Sequence, residues 1–288
     1  MDNAHEIPKG SKLYFAKTAK LKREIERVAS EIFYNEGFEE IVTPFFSLHQ
    51  KDNIDEKELI RFSNVDNQQL SLRADSTIDA VRLINRRIEK TIKKKRWFYI
   101  QPVFRYPSEE LYQIGGEFIG EPNIKLCIDS ISKIFSNFNT SPLLFISNVK
   151  IPEIVAKLLN LPEDVFINGD FDKLFALNEE WLNKLIALQD VEKIDEVIEI
   201  APKKLERELL RLKKLASSIK YENKVIEPLF YSKMRYYDSL YFSFIENNET
   251  LASGGIYTFE EQESAGFGIY TDALIETIMK TKLGEDDE

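Results

Sequence analysis

Gln113 and Glu117 lie four residues apart, with Gly115 and Gly116 between them. On a strand that spacing puts both polar side chains on one face, and the glycines let a second group approach the backbone closely. Arg105, just after the apolar run 97–104, adds a planar guanidinium suited to a carboxylate or phosphate. A carboxylate and an amide oxygen for an ammonium group, with a cationic fork for a carboxylate, make a receptor for a small zwitterion. Each of these residues alone is what an ordinary solvated strand face carries, so further blocks in the right order must decide.

The elements that would position these groups are legible in the pattern. Residues 18–35 carry Leu21, Ile25, Val28, Ala29, Ile32 and Phe33 at helical spacing, and Gly37 ends that helix. The run 39–44 reads as a strand stopped by Pro44, and 69–75 reads as a second strand entering a helix near Ser76, with Asp75 or Ser76 as its N-cap. Segments 97–104, 113–119 and 236–245 read as strands, and Gly254, Gly255 and Gly266 bracket another before a last helix, 272–282. Residues 150–218 are helical in pattern and carry no motif for chemistry. They read as a helical insertion between two halves of a mostly antiparallel α+β domain.

Composition narrows the function classes. The 288 residues carry a formal net charge of −10, which opposes a broad phosphate-binding face and hence nucleic acid as a partner. The one basic run, Lys93, Lys94, Lys95 and Arg96, reads as a solvated helix end. One cysteine, Cys127, and two histidines, His5 and His49, exclude an intrachain disulfide and a His/Cys metal cluster. No run reaches the roughly 20 apolar residues that span a membrane, and no signal-peptide core opens the chain, so the expectation is a cytoplasmic protein. The reading assigns no cofactor and no metal. The acidic end, 284–288, reads as a disordered, solubilising tail.

Taken together, six blocks resemble the catalytic core of class II histidyl-tRNA synthetases. They are Gly37 to Pro44, Leu72 to Thr77, Val103-Phe104-Arg105 with Gln113 and Glu117, Tyr236-Tyr237, Gly254-Gly255-Ile256-Tyr257, and Gly266-Phe267. The likeness runs from about residue 8 to residue 280, the helical middle matching only in position and character. It implies a class II aminoacyl-tRNA synthetase-like antiparallel sheet flanked by helices. The core would be 1–149 and 219–283, the insertion 150–218, and a dimer would form partly through the first block. It further implies that Asp75, Thr77, Gln113, Glu117, Tyr237 and Tyr257, with Arg105, bind histidine. Asp75 stands where the family carries a glutamate and reaches about one methylene less far.

The departures fall on the nucleotide side. Pro107 replaces the family's adenine-contacting glutamate, the loop 106–112 is shorter, and Ala273 stands where a triphosphate-binding arginine belongs. Ser232 aligns with a catalytic arginine, Arg235 matching only if the register shifts, and no segment remains for an anticodon-binding domain. Losing such donors costs about 3 kcal/mol each, so adenylate chemistry should fail. The combination resembles the regulatory subunits of ATP phosphoribosyltransferase. By that resemblance the chain has no catalytic residues, senses histidine, and activates a short-form catalytic subunit as a homodimer within a hetero-octamer. Two other readings stay open: a truncated synthetase-like ligase with a non-tRNA acceptor, and an amino-acid sensor with another partner.

Overall fold

The computed structural model describes residues 6–52, 54–162, 164–231 and 236–285. In chain order the elements are α1 (Ala16–Asn35), β1 (Glu39–Glu40), β2 (Phe46–Ser47), β3 (Arg61–Ser63), β4 (Gln69–Leu72), α2 (Thr77–Leu83), β5 (Arg96–Arg105), β6 (Glu109–Phe118), α3 (Ile124–Ser136) and β7 (Leu143–Asn148). There follow α4 (Lys150–Leu159), α5 (Asp164–Ile167), α6 (Phe171–Phe175), α7 (Glu180–Ile186), α8 (Ile194–Ile200), α9 (Lys203–Ser218), β8 (Lys224–Ile226), β9 (Tyr237–Glu246), β10 (Glu249–Phe259), β11 (Gln262–Tyr270) and α10 (Thr271–Glu285). Two compact units result. One holds the chain up to Gly120, Lys133–Thr140 and the chain from Gly266; the other holds Glu121–Ser132 and Ser141–Ala265.

In the first unit, β5 and β6 form an antiparallel hairpin from Arg96↔Phe118 to Arg105↔Glu109, and β1 pairs with β5 in parallel. The apolar stripe of α1 buries Leu21, Ile25, Val28, Ala29 and Phe33. Phe33 packs against the rings of Phe38, Phe98 and Phe267 at 5.1–5.8 Å. Gly37, at φ +80°, supplies the left-handed residue that ends α1, and the Phe38 N–H returns to the Phe33 carbonyl at 3.0 Å. The expected strand 39–44 shrinks to Glu39–Glu40. Its continuation is taken by side chains: the Gln101 amide oxygen accepts from the Thr43 N–H at 3.1 Å.

A second, three-stranded sheet orders as β2-β4-β3. Arg73, directly after β4 and fully buried, ties it to the hairpin. Its Nη1 donates to the Thr43 carbonyl at 2.8 Å, and its Nη2 and Nε donate to the Pro102 carbonyl at 2.6 and 3.0 Å. Its backbone is held too, N–H to Phe45 O and carbonyl from Phe104 N–H, each at 2.7 Å. Burial pulls the Arg73 pKa down to about 10, against the attraction of Asp79.

In the second unit β9 and β10 are antiparallel, β9 pairs antiparallel with β7, and β7 pairs with β8 in parallel. A parallel pair needs a long crossover, and the helical stretch α4 to α9 is that crossover between β7 and β8. So the sheet is mixed rather than antiparallel throughout. Buried Asn148 at the end of β7 donates to the Glu208 carboxylate of α9 at 2.8 Å. Gly254 and Gly255 lie inside β10, and Gly266 inside β11, rather than bracketing a strand. The last helix extends to Glu285, taking in Gly284 and Glu285 of the expected tail, whose remaining residues 286–288 lie outside the described residues. Among the described residues no helix is long and apolar enough to cross a membrane.

Replacing Arg73 with methionine strands the Thr43 and Pro102 carbonyls without donors and should cost on the order of 3 kcal/mol. Arg73→Lys, which lacks the planar fork, should recover only part of it. Urea-unfolding midpoints measure both; a methionine variant as stable as the wild type would show that the guanidinium is dispensable.

Candidate functional site

Asp75, Thr77 and Glu117 are buried, and all lie in the first unit. Tyr99, on β5, links two of them: its hydroxyl donates to Glu117 Oε1 at 3.3 Å and lies 3.1 Å from Thr77 Oγ1. Glu117 has no exposed surface at all, so its carboxylate depends on such donors. Asp75 acts as the side-chain cap of α2, its Oδ1 accepting from the Ile78 N–H at 3.2 Å, whereas Ser76 at the formal cap position makes no cap bond. Burial raises the Asp75 pKa; the Ile78 N–H and then the charge of Arg105 act against that rise.

Gln50 holds the same turn from the other side. Its Oε1 accepts from the Asp75 and Ala74 N–H groups at 2.8 and 3.0 Å, and its Nε2 donates to the Asp75 carbonyl at 2.9 Å and to Asp79 at 2.6 Å. Arg105 donates from Nε to the Ala74 carbonyl at 3.4 Å and pairs with Glu58 at 3.4 Å. Its guanidinium is therefore placed next to Asp75 while already holding protein partners. Gln113 stands opposite Gln101 on the hairpin, on the face it shares with Gly115 and Glu117.

The glycines do something other than admit a ligand. A Cβ on Gly115 would run into the ring of Tyr99, and one on Gly116 would come within 2.7 Å of Phe267. The first absent side chain makes room for the ring that carries the Glu117 hydrogen bond. In the second unit the same device recurs: a Cβ on Gly255 would lie 2.7 Å from the Tyr237 ring. There Tyr237 and Tyr257 are cross-strand partners, Tyr257 fully buried. Tyr236 packs tilted against Tyr237 at 4.6 Å between centroids and stands edge-on to Tyr257 at 6.2 Å.

Tyr99, Gln50 and Gln101 escaped the sequence reading. Tyr99 had a usable signal, an aromatic in strand register with a glycine. Gln50 had none, since it lies 25 residues from Asp75 with no periodicity to link them. Ser232 and Arg235 lie outside the described residues. The loop expected at 106–112 is a turn of residues 106–108, because β5 runs to Arg105 and β6 begins at Glu109. Among the described residues no group of His, Cys, Asp and Glu could hold a metal ion.

The histidyl-tRNA synthetase family model matches residues 14–274. A protein of Wolinella succinogenes called ATP phosphoribosyltransferase regulatory subunit is 44% identical over 282 residues, covering 97% of this chain and 98% of its own length. The chain belongs to the ATP phosphoribosyltransferase regulatory subunit family. A second member, from Helicobacter hepaticus, is 40% identical over 277 residues, covering 96% of this chain and 98% of its own. A solved structure from Bacillus halodurans, titled as an ATP phosphoribosyltransferase regulatory subunit/histidyl-tRNA synthetase, superposes with a TM-score of 0.78. It covers 95% of this chain and 83% of that one at 20% identity, and so shares the fold. The fold of the family is thus that of the class II synthetases.

Two outcomes follow from the packing around Asp75 and Gly115. Gly115→Ala should destabilise the protein by about 1–3 kcal/mol through overpacking against Tyr99; an unchanged melting temperature would mean that Tyr99 moves freely. For Asp75, the folded carboxyl holds its proton more tightly than the unfolded one, so its burial costs nothing below the ordinary value of 3.8 and lowers stability as pH rises through the folded pKa. Asp75→Asn keeps a cap acceptor without that cost. The stability of the wild type relative to Asp75→Asn should therefore fall as pH is raised above 3.8, and parallel urea-midpoint curves would contradict it.

Proposed function

We propose that this chain is the regulatory subunit of ATP phosphoribosyltransferase in histidine biosynthesis, that it activates a short-form catalytic subunit, and that it binds histidine as the feedback signal. The observation that carries the regulatory role is the end-to-end similarity, 44% over 97% of the chain, to a protein bearing that name. The histidine part rests on the first unit. There Asp75, Thr77 and Glu117 are buried polar groups, the last two joined through Tyr99, and they are of the residue types that recognise an ammonium and an imidazole. Feedback by linkage requires histidine to bind the active and inhibited assemblies with different affinity.

The non-catalytic part of the reading is supported by what stands at the nucleotide positions. Pro107 has no polar side-chain group, and the hairpin turn that contains it spans only 106–108. At the start of α10, Ala273 follows Asp272, whose carboxylate accepts from the Tyr14 hydroxyl and from the Tyr112 N–H at 3.0 Å. Burial holds Asp272 above the usual carboxylate range, with Tyr14 and the Tyr112 N–H pulling the other way. An acid and an alanine there offer no cation for a triphosphate. The assembly we propose is a homodimer within a hetero-octamer, its chemistry performed by the catalytic subunit.

Mixing the purified chain with a short-form catalytic subunit should raise the phosphoribosyltransferase rate, and added histidine should lower it. No stimulation would reject the regulatory role. Calorimetry should show histidine binding to the chain or the complex, weakened about tenfold or more by Glu117→Gln, which removes a charge-assisted contact. Unchanged affinity in that variant would place histidine elsewhere. Amino-acid-dependent pyrophosphate exchange should be absent; its presence would establish the ligase reading.

A further inference from the structure

The second unit contains a cavity of about 280 Å³ that neither the fold nor the proposed function uses. Phe145 on β7, Phe171 and Phe175 at the two ends of α6, Ile186 at the end of α7, and Leu229 supply apolar walls. Two backbone hydrogen bonds brace its rim, Ile226 N–H to Gln189 O and Glu227 N–H to Ile146 O, each at 2.9 Å. Phe175 is 49% exposed, so part of this lining residue faces solvent.

One acidic residue, Glu227, is among those that line this cavity. Among the described residues no cation pairs with it and no donor bonds its side chain. Burial lifts its pKa, with no charge among the described residues contributing. A carboxylate among apolar walls loses hydration without compensation, and a cation arriving from outside restores the lost interaction. Phenylalanine faces attract the same kind of group through the ring quadrupole. The volume sits just below the range of about 300–1,000 Å³ that holds drug-sized ligands, which limits an occupant to one compact body.

We infer that this cavity binds a small organic monocation, a primary amine carried on a single aromatic or branched aliphatic body, with the ammonium on Glu227 and the body among Phe145, Phe171, Phe175 and Ile186. The inference is independent of histidine recognition, since none of these residues is among the groups assigned to histidine.

Phenethylamine, 2-phenylethanol and phenylacetate share one ring and differ in charge, so their binding to the full chain by calorimetry and ligand-observed NMR separates the terms. Phenethylamine should bind about tenfold or more tightly than 2-phenylethanol, and phenylacetate should not bind. Glu227→Gln should reduce the preference for the amine to near parity with the alcohol, and Ile186→Trp, which fills the space, should abolish both. Equal binding of amine and alcohol to the wild type, or no binding of the amine, overturns the proposal. The wild-type comparison stands even where a variant does not fold.

Discussion

A buried guanidinium that bonds to carbonyls holds the first unit in register. Arg73 spans from the Thr43 carbonyl to the Pro102 carbonyl, and its own backbone bridges Phe45 and Phe104. Three chain segments remote in sequence are thereby fixed to one planar group. The next two residues, Ala74 and Asp75, inherit that placement and are clamped again by Gln50. The charge is tolerated because the carbonyl dipoles replace water around it, though its lowered pKa records the cost of burial. Without that anchor, neither the cap on α2 nor the position of Thr77 beside Tyr99 would be defined.

The glycines show how strand chemistry is turned into space for rings. Gly115, Gly116 and Gly255 sit where the rings of Tyr99, Phe267 and Tyr237 come close to the backbone. Each glycine weakens its strand locally, and each is offset by an aromatic ring that packs on the vacated surface. For Tyr99 the result is more than packing, because the ring delivers a hydroxyl to Glu117 and Thr77. This polar line is inside the unit, where a hydrogen bond is strong and a missing one is costly.

Charge divides the first unit in a consistent way. Asp75 accepts from the Ile78 N–H and Glu117 from the Tyr99 hydroxyl, both buried, while Arg105, beside Asp75, is shared between the Ala74 carbonyl and Glu58. At the start of α10 the buried charge is again acidic, Asp272. Buried acids favour an ammonium or imidazolium and oppose a phosphate chain. That balance supports the proposal that this member of the regulatory family reads a cationic amino acid rather than activating it with a nucleotide.

Much of this was legible in the residues themselves. Helical spacing located α1, Gly37 marked its end, and the apolar runs located β5, β6 and β9, because burial on one face imposes the period of the element. The order of the blocks from Gly37 to Gly266 was enough to reveal the family, and the types at 107 and 273 are what led to the proposal that nucleotide contacts are missing. What the sequence could not carry was partnership between distant positions. Only the tertiary structure decided that Asp75 caps α2, that Gln50 grips its turn, that Arg105 is engaged with Glu58, and that the glycines serve the protein's own rings. Only it decided that the helical stretch is a crossover between parallel strands. The reason is physical: periodicity records which face of an element is buried, whereas hydrogen-bond partners and close approaches depend on how separate elements meet.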